Sequence, residues 1–190
     1  GFSDEKYKNA GAEIISEAAS VWAESDMMVK VKEPLEPEYK YFKEGLLLFT
    51  YLHLAADKKL TDALLKSKVK GIAYETLIEK NGRIPLLAPM SQIAGRLSVQ
   101  EGAKYLEKRF GGSGVLLAGV PGTEKANVLI VGGGNVGTNA CKIATGIGAN
   151  VTITDISLER LAQLDDMFGS RVQTLYSTDH AIEEAAKSAD

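Results

Sequence analysis

The stretch Val128-Leu-Ile-Val-Gly-Gly-Gly-Asn-Val-Gly-Thr-Asn139 constrains the fold more than any other part of this chain. Val128 to Val131 form a short apolar run of the kind that makes a buried parallel strand, and they lead directly into Gly132-x-Gly134-x-x-Gly137. A helical pattern follows through Ala140, Ile143 and Ala144. In a strand, tight turn and helix start of this type the three glycines serve different ends. Gly132 makes the turn, Gly134 lets the backbone approach a pyrophosphate, and Gly137 lets helix and strand pack closely. The unpaired N–H groups and the positive end of the helix dipole then face the phosphates.

Glycine-rich turns also occur as purely structural features, so context must decide. A second β-like run, Asn150-Val-Thr-Ile-Thr-Asp155, ends on an acid 18 positions after Gly137. An acid there can accept hydrogen bonds from a ribose diol and would repel a 2′-phosphate, which favours NAD over NADP. The alternative phosphate loop, G-x-x-x-x-G-K-[ST], does not occur.

Composition narrows the function classes. The net charge is −3 with no basic run, which leaves no electrostatic footprint for nucleic acid or an anionic membrane. No apolar run approaches the length of a membrane span, and no signal-peptide pattern is present. A single cysteine, Cys141, excludes an internal disulfide and favours a reducing, cytoplasmic setting. Cys141 lies just inside the glycine-turn helix and reads either as a thiol made reactive by the helix dipole or as a small residue packing helix on sheet.

Along the chain, Ser3 to Ala10 reads as helix, Ala12 to Ser16 as strand-like and Glu17 to Glu24 as helix carrying Trp22. Met27 to Lys32 reads as a strand stopped by Glu33-Pro34, Glu36 to Glu44 as helix ended by Gly45, Leu46 to His53 as an apolar strand, Asp57 to Lys66 as helix and Val69 to Glu75 as strand. Pro85 and Pro89 break regular structure, and a long helix is expected from about Ser91 to Arg109. Beyond Asp155, helix is expected over Leu158 to Phe168, strand over Arg171 to Tyr176 and helix over Ala181 to Ala189.

Strands alternating with helices predict an α/β protein with two Rossmann-like parallel-sheet domains, residues 1–85 and 86–190, joined by the long helix. Both domains read as incomplete. The second supplies the first mononucleotide half of a dinucleotide domain, and a fourth strand would follow it. The chain therefore reads as an internal segment of a longer enzyme, with an open parallel edge prone to association.

Functional side chains collect at the carboxyl ends of parallel strands, where Lys32, His53 and Glu75 fall. If their strands are neighbours, all three face one rim. A lysine can hold a carboxylate or steady a developing oxyanion, and a histidine can carry a proton at a hydroxyl, amine or carbonyl. Each residue also has a plainer reading: His53 as a hydrogen-bonded structural residue, Lys30 and Lys32 as the wet side of a half-exposed strand, Glu75 as a strand-end acid, His180 as a surface residue.

Taken together, Lys30-Val-Lys-Glu-Pro34, Thr50-Tyr-Leu-His-Leu-Ala55, Ala73-Tyr-Glu-Thr76, Pro85-Leu-Leu-Ala-Pro-Met-Ser91, Ala94-Gly-Arg96, Gly119-Val-Pro-Gly122, Gly132 to Gly137 and Asp155-Ile156 resemble, in that order, the NAD-dependent alanine dehydrogenases. The resemblance spans nearly the whole chain. It implies reversible oxidative deamination of L-alanine to pyruvate and ammonia, with Lys32 binding the substrate carboxyl end and His53 as catalytic acid/base. It also implies NAD contacts from Ser91, the glycine turn with Asn135 and Val136, Asp155, and more loosely Arg160 and Ser177. The family's early substrate-binding arginine and later catalytic aspartate fall outside this sequence, and its members are usually hexamers. The competing reading is a nucleotide-binding module like that of proton-translocating transhydrogenase, which lacks the paired KVKEP and LHLA signatures.

Overall fold

The apolar run around Leu48 becomes the central strand of one parallel sheet, and Val128 to Val131 opens a second. The computed structural model describes all 190 residues, which divide into two units, Gly1–Leu87 and Ala88–Asp190.

The first unit contains α1 (Asp4–Asn9), α2 (Ala18–Glu24), β1 (Met27–Val29), β2 (Leu47–Thr50), α3 (Lys58–Lys66) and β3 (Lys70–Ala73). The strand order is β1-β2-β3, all parallel, with Met28 opposite Leu48 and Leu48 opposite Gly71. Leu48 and Leu60 are fully buried, and burial of each contributes about 2 kcal/mol. Helix α3 begins where Asp57 accepts the Leu60 amide at 2.9 Å, and its i, i+4 pair Leu60 and Leu64 turns inward onto Trp22, Met28, Leu46 and Leu52.

Two expectations for this unit fail. Ala12 to Ser16 is not a strand: no neighbouring strand offers it a ladder, and Ile14 stays exposed. Glu36 to Glu44 is not an α-helix but a 3₁₀ turn over Glu36–Tyr41. In an α-helix Tyr39 and Tyr41 would point roughly 200° apart. Here both, with Phe42, pack on the cluster centred on Trp22, and the tighter turn brings them to it.

The second unit contains α4 (Ala88–Tyr105), β4 (Asn127–Val131), α5 (Asn135–Ile147), β5 (Asn150–Asp155), α6 (Leu158–Phe168), β6 (Val172–Tyr176) and α7 (Asp179–Lys187). Its sheet is β4-β5-β6, again parallel, with Ile130 opposite Ile153 and Ile153 opposite Thr174. Ala140, Cys141 and Ala144 bring α5 onto a core shared with Ile153 and Leu164. Ser157 and Thr178 cap α6 and α7, accepting the amides of Arg160 and Ala181.

The long helix starts three residues earlier than expected, and Pro89 does not break it. Proline in a first turn removes an N–H that has no helical partner anyway. Helix α4 belongs to the second unit, where it packs along α5 through Gly95. A Cβ there would drive into the Val136 carbonyl oxygen. The fold is α/β with two Rossmann-like parallel sheets, and no helix is long and apolar enough to cross a membrane.

Candidate functional site

In the first unit the order β1-β2-β3 puts the strand ends that lead to Lys32, His53 and Glu75 on one rim. Thr50 Oγ1 donates to the Lys32 carbonyl at 2.8 Å, tying the segment after β1 to the end of β2. Lys32 is exposed and its ammonium has no ion-pair partner. His53 has φ +48, a left-handed conformation that costs a non-glycine residue about 1–2 kcal/mol. Glu75 holds it there, accepting the His53 amide at 2.7 Å and the Leu52 amide at 3.0 Å. Burial acts to raise the Glu75 carboxyl, but the amides of His53, Glu75 itself and Leu52 outweigh it and leave the group below its ordinary range. Glu75 is therefore the anchor of the loop carrying His53.

The imidazole has its own supports. Nδ1 lies 2.9 Å from Glu33 Oε2, and the ring stacks on Tyr51 with centroids 5.9 Å apart and planes 17° from parallel. Tyr51 is in turn fixed by its hydroxyl, which donates to the Leu86 carbonyl at 2.6 Å. Neither Glu33 nor Tyr51 stands out as a site residue in the sequence, although both lie inside the KVKEP and TYLHLA motifs.

In the second unit Gly132 and Gly137 take the structural parts their spacing implies. Gly132 has φ +96, and a Cβ at Gly137 would run into the Gly132 carbonyl oxygen. A Cβ at Gly134 would meet nothing within 4 Å, so space is left beside its backbone. The middle glycine, which the fingerprint ignores, is constrained as well: a Cβ at Gly133 would lie 2.6 Å from Leu164 Cδ1. Asp155 closes the turn, its Oδ2 accepting the Gly133 amide at 2.7 Å and its Oδ1 the Ser157 amide at 2.8 Å. The Ser157 amide leads in holding this carboxyl below its ordinary value, against a smaller opposing effect of burial.

Arg160 lies under the turn rather than open to solvent. Its Nε donates to the Gly133 carbonyl at 2.7 Å and a terminal nitrogen to Thr138 Oγ1 at 2.6 Å. Ser177 Oγ donates to Thr154 Oγ1 at 2.9 Å, and its amide donates to the Asp155 carbonyl, so Asp155 and Ser177 share the carboxyl rim with the glycine turn. Asn135 donates to the Ala88 carbonyl and Asn139 to the Asn135 carbonyl, and Arg96 donates to Asn139 Oδ1, linking α4 to the turn. Ser91 is half-buried in the first turns of α4 and Val136 is exposed on α5. Ile156 and Leu158 are exposed apolar residues beside Asp155.

Two other residues fall away from this rim. Burial pushes the Cys141 thiol up to about 11, which makes it a packing residue. His180 lines a cavity of about 760 Å³ whose walls include Asn127, Asn150 and Val172, the amino ends of the strands. No group of three His, Cys, Asp or Glu side chains is placed to hold a metal ion.

Residues 1–94 match the family description "Alanine dehydrogenase/PNT, N-terminal domain", and residues 98–190 match "Alanine dehydrogenase/PNT, C-terminal domain". The chain belongs to the alanine dehydrogenase/PNT family. It is 59% identical over 189 residues to a protein of Staphylococcus haemolyticus named alanine dehydrogenase, and 58% identical over 188 residues to one of that name from Methanococcus maripaludis. These alignments cover 100% and 99% of this chain and 50% of each relative, so the chain spans about half their length. A solved structure titled L-alanine dehydrogenase superposes with a TM-score of 0.90 at 53% identity, over 100% of this chain and 52% of that one. A transhydrogenase from Sinorhizobium meliloti superposes with a TM-score of 0.74 at 19% identity, over 98% of this chain and 54% of that one, which is a likeness of fold.

Proposed function

We propose that this chain is part of an NAD-dependent alanine dehydrogenase, catalysing the reversible oxidative deamination of L-alanine to pyruvate and ammonia. The observation that carries this reading is the paired rim of Lys32 and His53, in a chain 59% identical over 189 residues to a protein named for that activity.

The residues of the second unit fit a dinucleotide. The open space beside Gly134 would admit a pyrophosphate against backbone N–H groups, and Asp155, at the end of the next strand, would accept from a ribose diol. Asn135, Val136, Gly132 and Gly137 would shape the pyrophosphate side, Asp155 the ribose, and Ser91 and Ser177 flanking contacts. Arg160 would act mostly by bracing the turn from beneath. NAD, when bound, takes up hydride from the substrate α-carbon.

The remaining chemistry falls to the first unit. The Lys32 ammonium would hold the carboxylate end of alanine or pyruvate and steady negative charge on oxygen. His53 would take a proton from the attacking water and return one to the departing ammonia. Support for a cytoplasmic homo-oligomer comes from the family resemblance and the single thiol.

The test is NADH formation from L-alanine at alkaline pH by the full-length protein, with NADP and glycine as controls. Turnover with NAD and alanine well above both controls is expected. Binding of NAD without any alanine-dependent reduction would reject the reading.

A further inference from the structure

We propose that Glu33 is a positioning residue for His53: its carboxylate holds the imidazole as the Nδ1–H tautomer and so leaves the Nε2 lone pair to move the proton. The inference rests on the reading of His53 as the proton carrier.

The geometry is specific. Glu33 Oε2 and His53 Nδ1 are 2.9 Å apart, while Nε2 has no protein partner. An ionised carboxylate only accepts, so Nδ1 must carry the hydrogen whenever the ring is neutral. Glu33 is kept ionised first by its own backbone N–H and then by the imidazole, against a smaller cost of burial.

The pair is also held from both sides. Glu33 precedes the buried Pro34, and a residue before proline is restricted to extended backbone. The Thr50 hydroxyl bound to the Lys32 carbonyl ties the same segment to β2. On the other side, Glu75 fixes the left-handed His53 backbone and Tyr51 fixes the ring plane. One acid thus holds the main chain and the other the imidazole, and neither needs to touch substrate. A neutral histidine side chain in water favours the opposite, Nε2–H tautomer, so the carboxylate imposes a state that solvent would not.

The chain has two histidines, His53 and His180, which makes the tautomer directly readable by long-range ¹H–¹⁵N correlation in histidine-labelled protein, with His180→Gln assigning the signals. In its neutral form, His53 should show a protonated Nδ1 and a bare Nε2. Glu33→Ala should switch it to Nε2–H and lower kcat of the full-length protein about 100-fold with little change in KM for alanine. Glu33→Gln keeps an acceptor at Nδ1 and should retain the tautomer and recover part of kcat. An Nε2–H tautomer in the parent protein, or an Nδ1–H tautomer that survives Glu33→Ala, would overturn the proposal. A tautomer that follows Glu33 in a protein unable to oxidise alanine would uphold the positioning and reject the dehydrogenase reading instead.

Discussion

The Gly133 amide donates to Asp155 Oδ2 at 2.7 Å, so the acid proposed to grip a ribose also closes the turn proposed to hold a pyrophosphate. Replacing Asp155 by alanine orphans two backbone N–H groups, those of Gly133 and Ser157, and removes the proposed contact to the ribose. Asp155→Ala should therefore weaken NAD binding at least 10-fold and lower unfolding stability by about 1–3 kcal/mol. Fluorescence titration with NAD and urea unfolding of the same preparation measure both.

Acid should act through the same residue. The folded Asp155 carboxyl lies below its ordinary value of 3.8, so the unfolded chain binds its proton first as pH falls. Its stabilising contribution is fully present above that ordinary value and is lost as pH drops through the lowered folded one. The stability gap between parent protein and Asp155→Asn should hold constant above about pH 5 and shrink below about pH 4, read by urea midpoints across that range.

Two glycines of the turn should separate folding from binding. Gly137→Ala forces a Cβ into the Gly132 carbonyl oxygen and should destabilise the second unit by about 1–3 kcal/mol. Gly134→Ala meets no protein atom within 4 Å, at φ −64, and should melt within about 0.5 kcal/mol of the parent while losing most NAD affinity. Equal losses of stability in the two variants would contradict the assignment of Gly134 to ligand space.

At position 53, asparagine can keep the left-handed backbone that φ +48 demands but cannot carry a proton. His53→Asn should abolish alanine turnover and leave the NAD dissociation constant within about 2-fold of the parent. Steady-state kinetics and NAD titration on one sample decide it. Retained turnover would remove His53 from the chemistry.

Glu75→Ala should disturb the same loop from the backbone side, because the Leu52 and His53 amides lose their acceptor. A stability loss of about 1–3 kcal/mol is expected, and amide hydrogen exchange should rise at Leu52 and His53 but not in the second unit.

Much of the second unit is legible in the chain. A four-residue apolar run, three spaced glycines and an acid ending the next strand depend on neighbours a few residues apart, and local periodicity encodes them. Helices α3 and α6 are likewise visible in their capping residues Asp57 and Ser157 and their i, i+4 apolar pairs. The site in the first unit is only half visible: Lys32, His53 and Glu75 can be named, but their sharing one rim depends on a strand order that periodicity does not carry.

By itself, then, the sequence determined the alternation of strand and helix, the glycine turn with Asp155, and the family resemblance. Only the tertiary structure decided that Glu33, 20 positions before His53, is the acid on its imidazole while Glu75 takes its backbone. It also decided that Arg160 braces the turn, that Gly95 is required against Val136, and that Ala12 to Ser16 has no strand to pair with. The physical reason is common to all of these. A residue's propensity is set by its own stereochemistry and its near neighbours, whereas a hydrogen-bond partner across a sheet rim exists only once strand order and register have brought distant segments within about 3 Å of each other.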